Sequence, residues 1–376
     1  MINCGEFYNL LMENGIGFFT GVPDSLLKDF CAYVLDHAGN NRHIIAANEG
    51  NAVALAAGFH LSTGKIGLVY MQNSGQGNAV NPLVSLVDRQ AYSIPVLLAI
   101  GWRGEQGTKD EPQHAKQGKI TVKLLNTLGI PNAILPDNLD SAKTALRAAI
   151  DTMKIKNIPY GLIVRAGTFE TYQLRTETKT SYELSREEAI KIIVRQLSSQ
   201  DIVVSTTGKS SRELFELREE LGQGHKRDFL TIGSMGHSSQ IALAIALSNP
   251  GRGVYCLDGD GAVIMHLGGL ATIGLNGPEN FKHIVLNNGS HDSVGGQPTA
   301  GFNINIPAIA TACNYKEAFH ADKRTELEEK MQLLKSVKGP ALLEVKVNKG
   351  ARNNLGRPTI SPVENKKAFM RFLQGS

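Results

Sequence analysis

The sequence has 376 residues, 42% of them hydrophobic and 20% charged, with a formal net charge of +4. This length and composition are typical of a globular protein with room for two domains. The slight charge, without a run or stripe of Lys and Arg, argues against nucleic-acid binding. Four separated cysteines with no C-x-x-C pair favour buried thiols in a reducing compartment. No signal-peptide pattern and no apolar run of about 18 residues is present, so we expect a cytoplasmic protein with no membrane partner.

Short apolar runs alternate with helical patterns along the whole chain, which predicts an α/β protein with parallel sheets. In the first half, strands are predicted at 17–22, 43–47, 66–71, 94–100, 133–135 and 160–164. A helix with Asp24 or Ser25 as its N-cap is predicted after the first strand. In the second half, strands are predicted at 202–205, 229–232, 253–257, 283–286 and 341–347. The expected fold class is therefore two doubly wound parallel-sheet domains.

A polar segment rich in Thr and Glu, "GTFETYQLRTETKTSYELSREE", separates the two halves. We interpret it as the region of the linker between domains. The predicted division is a first domain at 1–168, a linker at 169–184 and a second domain at 185–376.

Ligands of open parallel sheets bind beyond the carboxyl ends of the strands, so the residues that follow each strand are the candidate site residues. In the first half these include Asp24, Glu49, Asn73 and Gly75. In the second half they include Thr207, Gly208, Ser210, Gly233, Ser234, Met235, Gly259, Asp260, Gly261, Ala262, Asn288 and Ser290. Few of these residues suit a packed core, and many suit a ligand.

An acid and an amide end two strands of the second half. Asp260 and Asn288 carry hard oxygen donors of the kind that Mg²⁺ prefers. Glycines 259 and 261 would let a bulky anion approach the backbone, and a helix predicted to open after Gly261 would direct its free N–H groups at that anion. The pattern predicts a diphosphate bridged to the protein by Mg²⁺. The alternative is that "DGDG" and "NNG" are simple turns.

The combination of Gly259-Asp260-Gly261 with Asn287-Asn288 resembles the signature of thiamine-diphosphate enzymes. The resemblance covers the whole chain and implies a pyrimidine-binding domain followed by a diphosphate-binding domain. With these two domains, the chain has no room for the middle domain that larger relatives contain. The resemblance also implies that Asp260 and Asn288 bind Mg²⁺ by their side chains and Ser290 by its backbone carbonyl.

The same resemblance implies roles for other residues. Glu49 would hydrogen-bond the pyrimidine ring and support the tautomer that generates the nucleophile, although a Glu at a helix N-terminus is the simpler alternative. Gly233 would accept a hydrogen bond from the cofactor, and Met235 would wedge between its rings unless it only fills the core. The remaining implied cofactor contacts are Asn73, Gly75, Thr207, Gly208, Ser210, Ser234, Gly259, Gly261 and Ala262.

Four segments, among them "FFTGVPDSLLKDF" and "NNGSHDSVGGQPT", resemble the branch of this family that decarboxylates phosphonopyruvate, with sulfopyruvate as the substrate of close relatives. The loop after the fourth strand carries Arg103, Lys109 and His114. Arg and Lys are natural partners of a phosphonate, although a charged surface loop is the alternative. Asp24 is a further candidate substrate contact. His114, His291 and Asp24 are equal candidates for the group that protonates the carbanion.

The resemblance implies a homo-oligomer, at least a dimer, with sites between chains. Its substrate would be a small 2-oxo acid that carries a phosphonate or sulfonate group. Two other classes of protein are alternatives. A nicotinamide-dependent oxidoreductase would need a G-x-G-x-x-G after a first strand, which this sequence lacks. A non-catalytic ligand-binding regulator would need neither Glu49 nor the Mg²⁺ motif.

Overall fold

A computed structural model of the chain describes residues 1–176 and 179–375. The chain divides into two compact units, Met1–Glu177 with Val294–Gln297 and Thr178–Ser293 with Pro298–Ser376. Each unit contains one six-stranded sheet in which every strand pair is parallel. Within the described ranges, every helix is too short or too polar to cross a membrane.

The first unit is a doubly wound sheet with the strand order β2-β1-β3-β4-β6-β5. Its strands are β1 (Phe19–Gly21), β2 (His43–Ile45), β3 (Gly67–Gln72), β4 (Val96–Gly101), β5 (Asn132–Ile134) and β6 (Tyr160–Val164). Its helices are α1 (Cys4–Glu13), α2 (Lys28–His37), α3 (Glu49–Thr63), α4 (Gln76–Ser85), α5 (His114–Thr127) and α6 (Leu139–Lys156). The strand order reverses between β1 and β3, which is where such sheets open a crevice for ligands.

Each face of this sheet packs against its own helical layer, because successive side chains of a strand point to opposite faces. Leu68 belongs to the apolar cluster of one face and the next residue, Val69, to the cluster of the other. Both side chains are fully buried. Burial on both faces explains why these strands appear in the sequence as continuous apolar runs.

Local capping sets where the helices begin. The Asn48 side chain accepts a hydrogen bond from the backbone N–H of Asn51 at 2.9 Å, so α3 begins at Glu49. The N-cap predicted for α2 is wrong, because that helix begins only at Lys28. Asp24 instead accepts the Leu26 N–H at 3.0 Å in the turn that precedes the helix.

The second unit repeats the architecture with the strand order β11-β12-β10-β9-β7-β8, which reverses between β7 and β9. Its strands are β7 (Ile202–Ser205), β8 (Asp228–Leu230), β9 (Val254–Gly259), β10 (Phe281–Asn287), β11 (Glu317–Ala321) and β12 (Ala341–Lys346). Its helices are α7 (Arg186–Gln196), α8 (Lys209–Glu220), α9 (Ser238–Ser248), α10 (Asp260–Met265), α11 (Gly269–Asn276), α12 (Ile306–Ala312), α13 (Arg324–Ser336) and α14 (Pro362–Gln374). Apolar clusters again cover both faces of the sheet.

The predicted fold class of two doubly wound parallel sheets is confirmed, and the described residues contain no third sheet. Strand β11 is absent from the predicted strands, because it lies at the sheet edge, only Ala321 is buried in it, and no apolar run marks it. The helix expected after Gly261 begins instead at Asp260, directly after β9. The predicted domain boundaries stay a prediction, and Glu177 and Thr178 of the predicted linker lie outside the described residues.

Candidate active site

Glu49 lies buried at the first position of α3. Its carboxylate Oε2 accepts a hydrogen bond from Asn78 Nδ2 at 2.7 Å. The backbone of Gly75 packs against the same carboxyl group, so closely that a Cβ at this position would overlap it. Burial raises the pKa of Glu49, and the hydrogen bond from Asn78 offsets part of the rise. A carboxyl in such a setting keeps its proton at higher pH than an exposed Glu and can exchange it with a bound ring.

Asn73 follows β3 and has a fully buried side chain. Its Nδ2 donates to the Arg103 carbonyl at 2.7 Å and to Thr121 Oγ1 at 2.9 Å. Its Oδ1 accepts the Arg103 N–H at 3.3 Å. The side chain therefore ties the loop after β4 to the end of β3. The predicted cofactor contact of Asn73 stays a prediction.

Asp24 is fully buried at the carboxyl end of β1. Gln72 Nε2 donates to its Oδ1 at 2.8 Å. Gly101, at the end of β4, lies so close that a Cβ there would overlap Oδ2. Burial raises the pKa of Asp24, against the hydrogen bonds from Gln72 and from the Leu26 backbone. The ends of β1, β3 and β4 thus meet around one carboxyl group.

The loop after β4 is organised by Asp110, for which sequence reasoning assigned no role. Arg103 approaches the Asp110 carboxylate with two nitrogens, Nε to Oδ2 at 2.9 Å and Nη2 to Oδ1. His114 Nδ1 lies 2.8 Å from the same Oδ1. Partial burial raises the pKa of Asp110, but the hydrogen bonds from Arg103 and His114 outweigh it and hold that pKa well below its ordinary value.

The first unit therefore brings together three of the four predicted substrate residues. Arg103 Nη1 donates to Ser25 Oγ at 2.7 Å, beside Asp24, and Asp110 joins Arg103 to His114. Lys109 is exposed to solvent and is not part of this group. The sequence around Lys109 does not distinguish it from Arg103, because both are cations in the same polar loop.

In the second unit, Asp260 is buried at the junction of β9 and α10. The Thr299 hydroxyl donates to Oδ2 of Asp260, and the carboxylate also accepts the backbone N–H groups of Asn288 and Gly261. Burial raises the pKa of Asp260 to about 6, while these hydrogen bonds oppose the rise. Thr299 lies far along the chain in an irregular segment, and nothing in the sequence pointed to it.

Asn288 follows β10 and is also buried. Its Nδ2 donates to Asp292 Oδ2 at 2.9 Å, and its Oδ1 accepts the Ser290 N–H at 3.1 Å. The Asn288 N–H points to Asp260, so the acid and the amide predicted as a pair do lie together. Ser290 is buried as well, and its hydroxyl has no hydrogen-bond partner among the described residues.

The predicted diphosphate residues lie where β7 ends and α8 begins. Gly208 is the N-cap residue of α8 with φ +99°, a backbone conformation that favours glycine. Thr207 Oγ1 accepts the Gly233 N–H at 3.0 Å, which ties this loop to the segment after β8. Ser210 is buried in the first turn of α8.

A second group of predicted residues surrounds Gly261. A Cβ at Gly261 would lie 3.3 Å from Met235 Cε and 3.4 Å from His291 Cε1, so both side chains come close to this backbone. Ser234 precedes Met235 with φ +44°, which is unusual for a residue other than glycine. Burial lowers the pKa of His291 to about 4, so its ring is neutral at pH 7.

These residues fit a hydrated divalent cation and an anion with several oxygens. The Ser290 hydroxyl and, at the end of β7, Thr206 Oγ1 are buried polar atoms with no partner in the described parts of the chain. Buried polar atoms without partners are rare and mark places for a missing water, ion or ligand. Asp260 and Asn288 add hard oxygen donors with a single negative charge, which is the kind of donor set that Mg²⁺ takes when phosphate oxygens complete its shell.

Comparison with known proteins places this geometry in a family. Residues 207–345 match the description "Thiamine pyrophosphate enzyme, C-terminal TPP binding domain". Residues 6–125 match "Thiamine pyrophosphate enzyme, N-terminal TPP binding domain". Thiamine pyrophosphate is another name for thiamine diphosphate.

Three curated relatives are similar over almost the whole chain. A phosphonopyruvate decarboxylase of Streptomyces viridochromogenes is 34% identical, covering 99% of this chain and 95% of the relative. One of Streptomyces hygroscopicus is 32% identical, covering 99% and 94%. A sulfopyruvate decarboxylase of Methanosarcina acetivorans is 25% identical, covering 97% and 96%.

The chain has two parallel sheets, with an acid and an amide at the strand ends of the second. Both family descriptions match it in the order of the chain, and together these features define a thiamine-diphosphate-dependent enzyme. The chain belongs to the thiamine pyrophosphate enzyme family, in the group that contains the phosphonopyruvate decarboxylases. It is a decarboxylase, a carbon–carbon lyase. The nicotinamide oxidoreductase and the non-catalytic regulator are set aside by this assignment.

Proposed function

We propose that this chain decarboxylates phosphonopyruvate to phosphonoacetaldehyde and CO₂. The observation that carries the proposal is the similarity to two phosphonopyruvate decarboxylases, 34% and 32% identical across nearly the full chain, against 25% for the sulfopyruvate decarboxylase. In the reaction the bond between C1 and C2 breaks and the carboxylate leaves as CO₂. The electron pair stays on C2, which then takes up one proton.

The diphosphate end of the cofactor and the metal would be held, in this proposal, by the second unit, whereas Glu49, Asn73 and Gly75 of the first unit would contact the pyrimidine end. Asp260 and Asn288 bind Mg²⁺ by side-chain oxygens and Ser290 by its carbonyl. The loops that begin α8 and α10 would hold the diphosphate, and the segment before α9 would contact the rings of the cofactor. The residues proposed for these contacts are Thr207, Gly208, Ser210, Gly233, Ser234, Met235, Gly259, Gly261 and Ala262. When bound, thiamine diphosphate supplies the electron sink for the pair left on C2.

Glu49 is proposed as the carboxyl that exchanges a proton with the pyrimidine ring. Two observations support this role. Burial raises its pKa, so that the carboxyl carries a proton closer to neutral pH than an exposed Glu does. Asn78 and the backbone of Gly75 hold the carboxyl in one position, which a proton transfer requires.

The substrate's anionic end is proposed to bind at the group of Arg103, His114 and Asp24, with Lys109 as an exposed cation nearby. Arg103 keeps two guanidinium N–H groups beyond those engaged by Asp110 and Ser25. Burial keeps Asp24 protonated to higher pH than usual, which suits it to donate the proton that C2 takes up. His114 engages Asp110 through Nδ1, so Nε2 is the nitrogen it can offer. His291 is the third candidate donor.

The active protein is proposed to be a homo-oligomer, at least a dimer, with sites between chains. Support comes from an open apolar depression of about 690 Å³ on the first unit, formed by β2, α3 and the start of β1. Its apolar lining residues are Phe18, Ile44, Ile45, Ala46, Ala47, Ala54, Leu55 and Phe59. An apolar surface of this kind is typical of a protein–protein contact.

The proposal is tested by the substrate preference of the purified protein. With thiamine diphosphate and Mg²⁺ at saturation, kcat/KM is measured for phosphonopyruvate, sulfopyruvate and pyruvate by CO₂ release, with Asp260→Ala as the inactive control. We expect the highest kcat/KM with phosphonopyruvate. A higher value with sulfopyruvate would assign the other substrate of this branch, and a higher value with pyruvate would overturn the role of the cationic loop.

A further inference from the structure

One oxygen of Asp292 collects hydrogen bonds from three separate parts of the second unit. Its Oδ2 accepts Asn288 Nδ2 at 2.9 Å, Arg186 Nη1 at 3.0 Å and the Gly350 backbone N–H at 3.0 Å. The junction therefore joins the end of β10, the first turn of α7 and the segment after β12. Asp292 has no part in the proposed cofactor and substrate contacts.

The junction is rigid and buried. The side chains of Asp292 and Arg186 are only 8% and 5% exposed. Arg186 also donates from Nε and Nη2 to the two carboxylate oxygens of Glu213, both at 2.7 Å. This two-point contact holds the guanidinium plane in place. Arg186 in turn fixes where the Asp292 oxygen lies.

This arrangement selects one of the two orientations of the Asn288 amide. An amide presents a donating NH₂ on one side and an accepting oxygen on the other. In the observed orientation Nδ2 faces the Asp292 carboxylate and Oδ1 faces the Ser290 N–H. If the amide is rotated by 180°, its oxygen faces the Asp292 carboxylate oxygen, which places two acceptors together. Its NH₂ group then faces the Ser290 N–H, which places two donors together. Both contacts would become repulsive.

We propose that Asp292, held by Arg186, is a positioning residue that keeps the oxygen of Asn288, and not its NH₂ group, turned toward the metal. This inference rests on the proposed function, in which Asn288 is a ligand of Mg²⁺. The oxygen has two lone pairs, so it accepts the Ser290 N–H with one and has the other for a cation. Without Asp292, only the Ser290 N–H still opposes the turned amide, so the NH₂ group occupies the metal site more often, where it repels a cation.

The test measures metal binding directly, with Mn²⁺ in place of Mg²⁺ and thiamine diphosphate present, by the electron paramagnetic resonance signal of free Mn²⁺. We expect Asp292→Ala to raise the Kd for Mn²⁺ about 10- to 100-fold, as losses of partners of metal ligands do. Asp292→Asn is the matched control, because an amide oxygen in the place of Oδ2 still accepts from Asn288. It should raise the Kd much less.

A second background separates orientation from general damage to the fold. In Asn288→Asp the two side-chain atoms are both oxygens, so no orientation has to be selected. Asp292→Ala should then have little effect on Kd, or lower it by removing a neighbouring carboxylate. An equal rise of Kd in both backgrounds would overturn the proposal, because it would show that Asp292 acts only through the stability of the loop. If Asp292→Ala does not fold, Asp292→Ser, which is too short to reach Asn288, takes its place in both backgrounds.

The same assay distinguishes a failure of the proposed metal site from a failure of the positioning role of Asp292. Asp260→Ala should abolish Mn²⁺ binding in the presence of thiamine diphosphate. If it does not, the metal site itself is wrong. If Asp260→Ala abolishes binding while Asp292→Ala binds Mn²⁺ like the wild type, the metal site stands and the positioning role of Asp292 is refuted.

Discussion

Replacing Arg103 with Ala should reduce the decarboxylation of phosphonopyruvate while leaving that of pyruvate nearly unchanged. A guanidinium has five N–H groups. Asp110 engages Nε and Nη2, and Ser25 engages Nη1. Two N–H groups are left for a phosphonate, which pyruvate lacks. The substitution therefore removes a contact that only one of the two substrates makes.

The size of the effect follows from the kind of contact. A hydrogen bond between charged groups contributes about 1.5–3 kcal/mol. Its loss lowers kcat/KM roughly 10- to 150-fold, at about 1.4 kcal/mol for each factor of ten. The Arg103 side chain is 20% exposed, so solvent screens the interaction only in part. Asp110 would also lose its main partner and repel the phosphonate, which favours the upper part of this range.

The assay compares initial rates of CO₂ release from phosphonopyruvate and pyruvate at saturating cofactor. Arg103→Lys keeps the charge but not the planar fork and should give an intermediate loss. Lys109→Ala, at an exposed position, should have a smaller effect that weakens further with added salt. An equal fall of kcat/KM with both substrates for Arg103→Ala would refute the reasoning and make this loop structural.

Four further results are expected. Thiamine diphosphate with Mg²⁺ at about a hundred times Kd should stabilise the wild type by about 2.7 kcal/mol in thermal unfolding, and Asp260→Ala should lose most of that gain. Glu49→Gln should lower kcat by about 10²- to 10⁴-fold and still bind cofactor in calorimetry, whereas near-normal turnover would place the proton exchange elsewhere. Mixing inactive Glu49→Gln with inactive Asp260→Ala chains should restore some activity if sites form between chains, and a fully active monomer in sedimentation would contradict that assembly. Since burial raises the pKa of Asp260 to about 6, and a metal must displace the proton, Mn²⁺ affinity should fall as pH drops below about 6; an affinity independent of pH between 5 and 7 would contradict this.

The sequence by itself determined the fold class and the chemistry at the strand ends. Strands buried on both faces are mostly apolar along their length, so β4 is visible as a continuous apolar run. The residue that follows such a run lies at the ligand-binding edge of a parallel sheet. The predicted strand ends therefore place Asp260 and Asn288 at the ligand-binding edge of the second sheet, and they place Glu49 shortly after the second predicted strand of the first unit.

Only the tertiary structure decided what each of these groups touches. Asn78 holds Glu49 across α3 and α4, and Thr299 donates to Asp260 across 39 residues of chain. Asp110 orders the loop by binding Arg103 and compensating its charge, whereas Lys109 stays exposed to solvent. Such contacts depend on strand register and on where irregular segments pack against the sheet. The local spacing of apolar residues in the sequence does not encode either. Polar residues in loops look alike in sequence, and the fold alone separates the buried partner from the exposed charge.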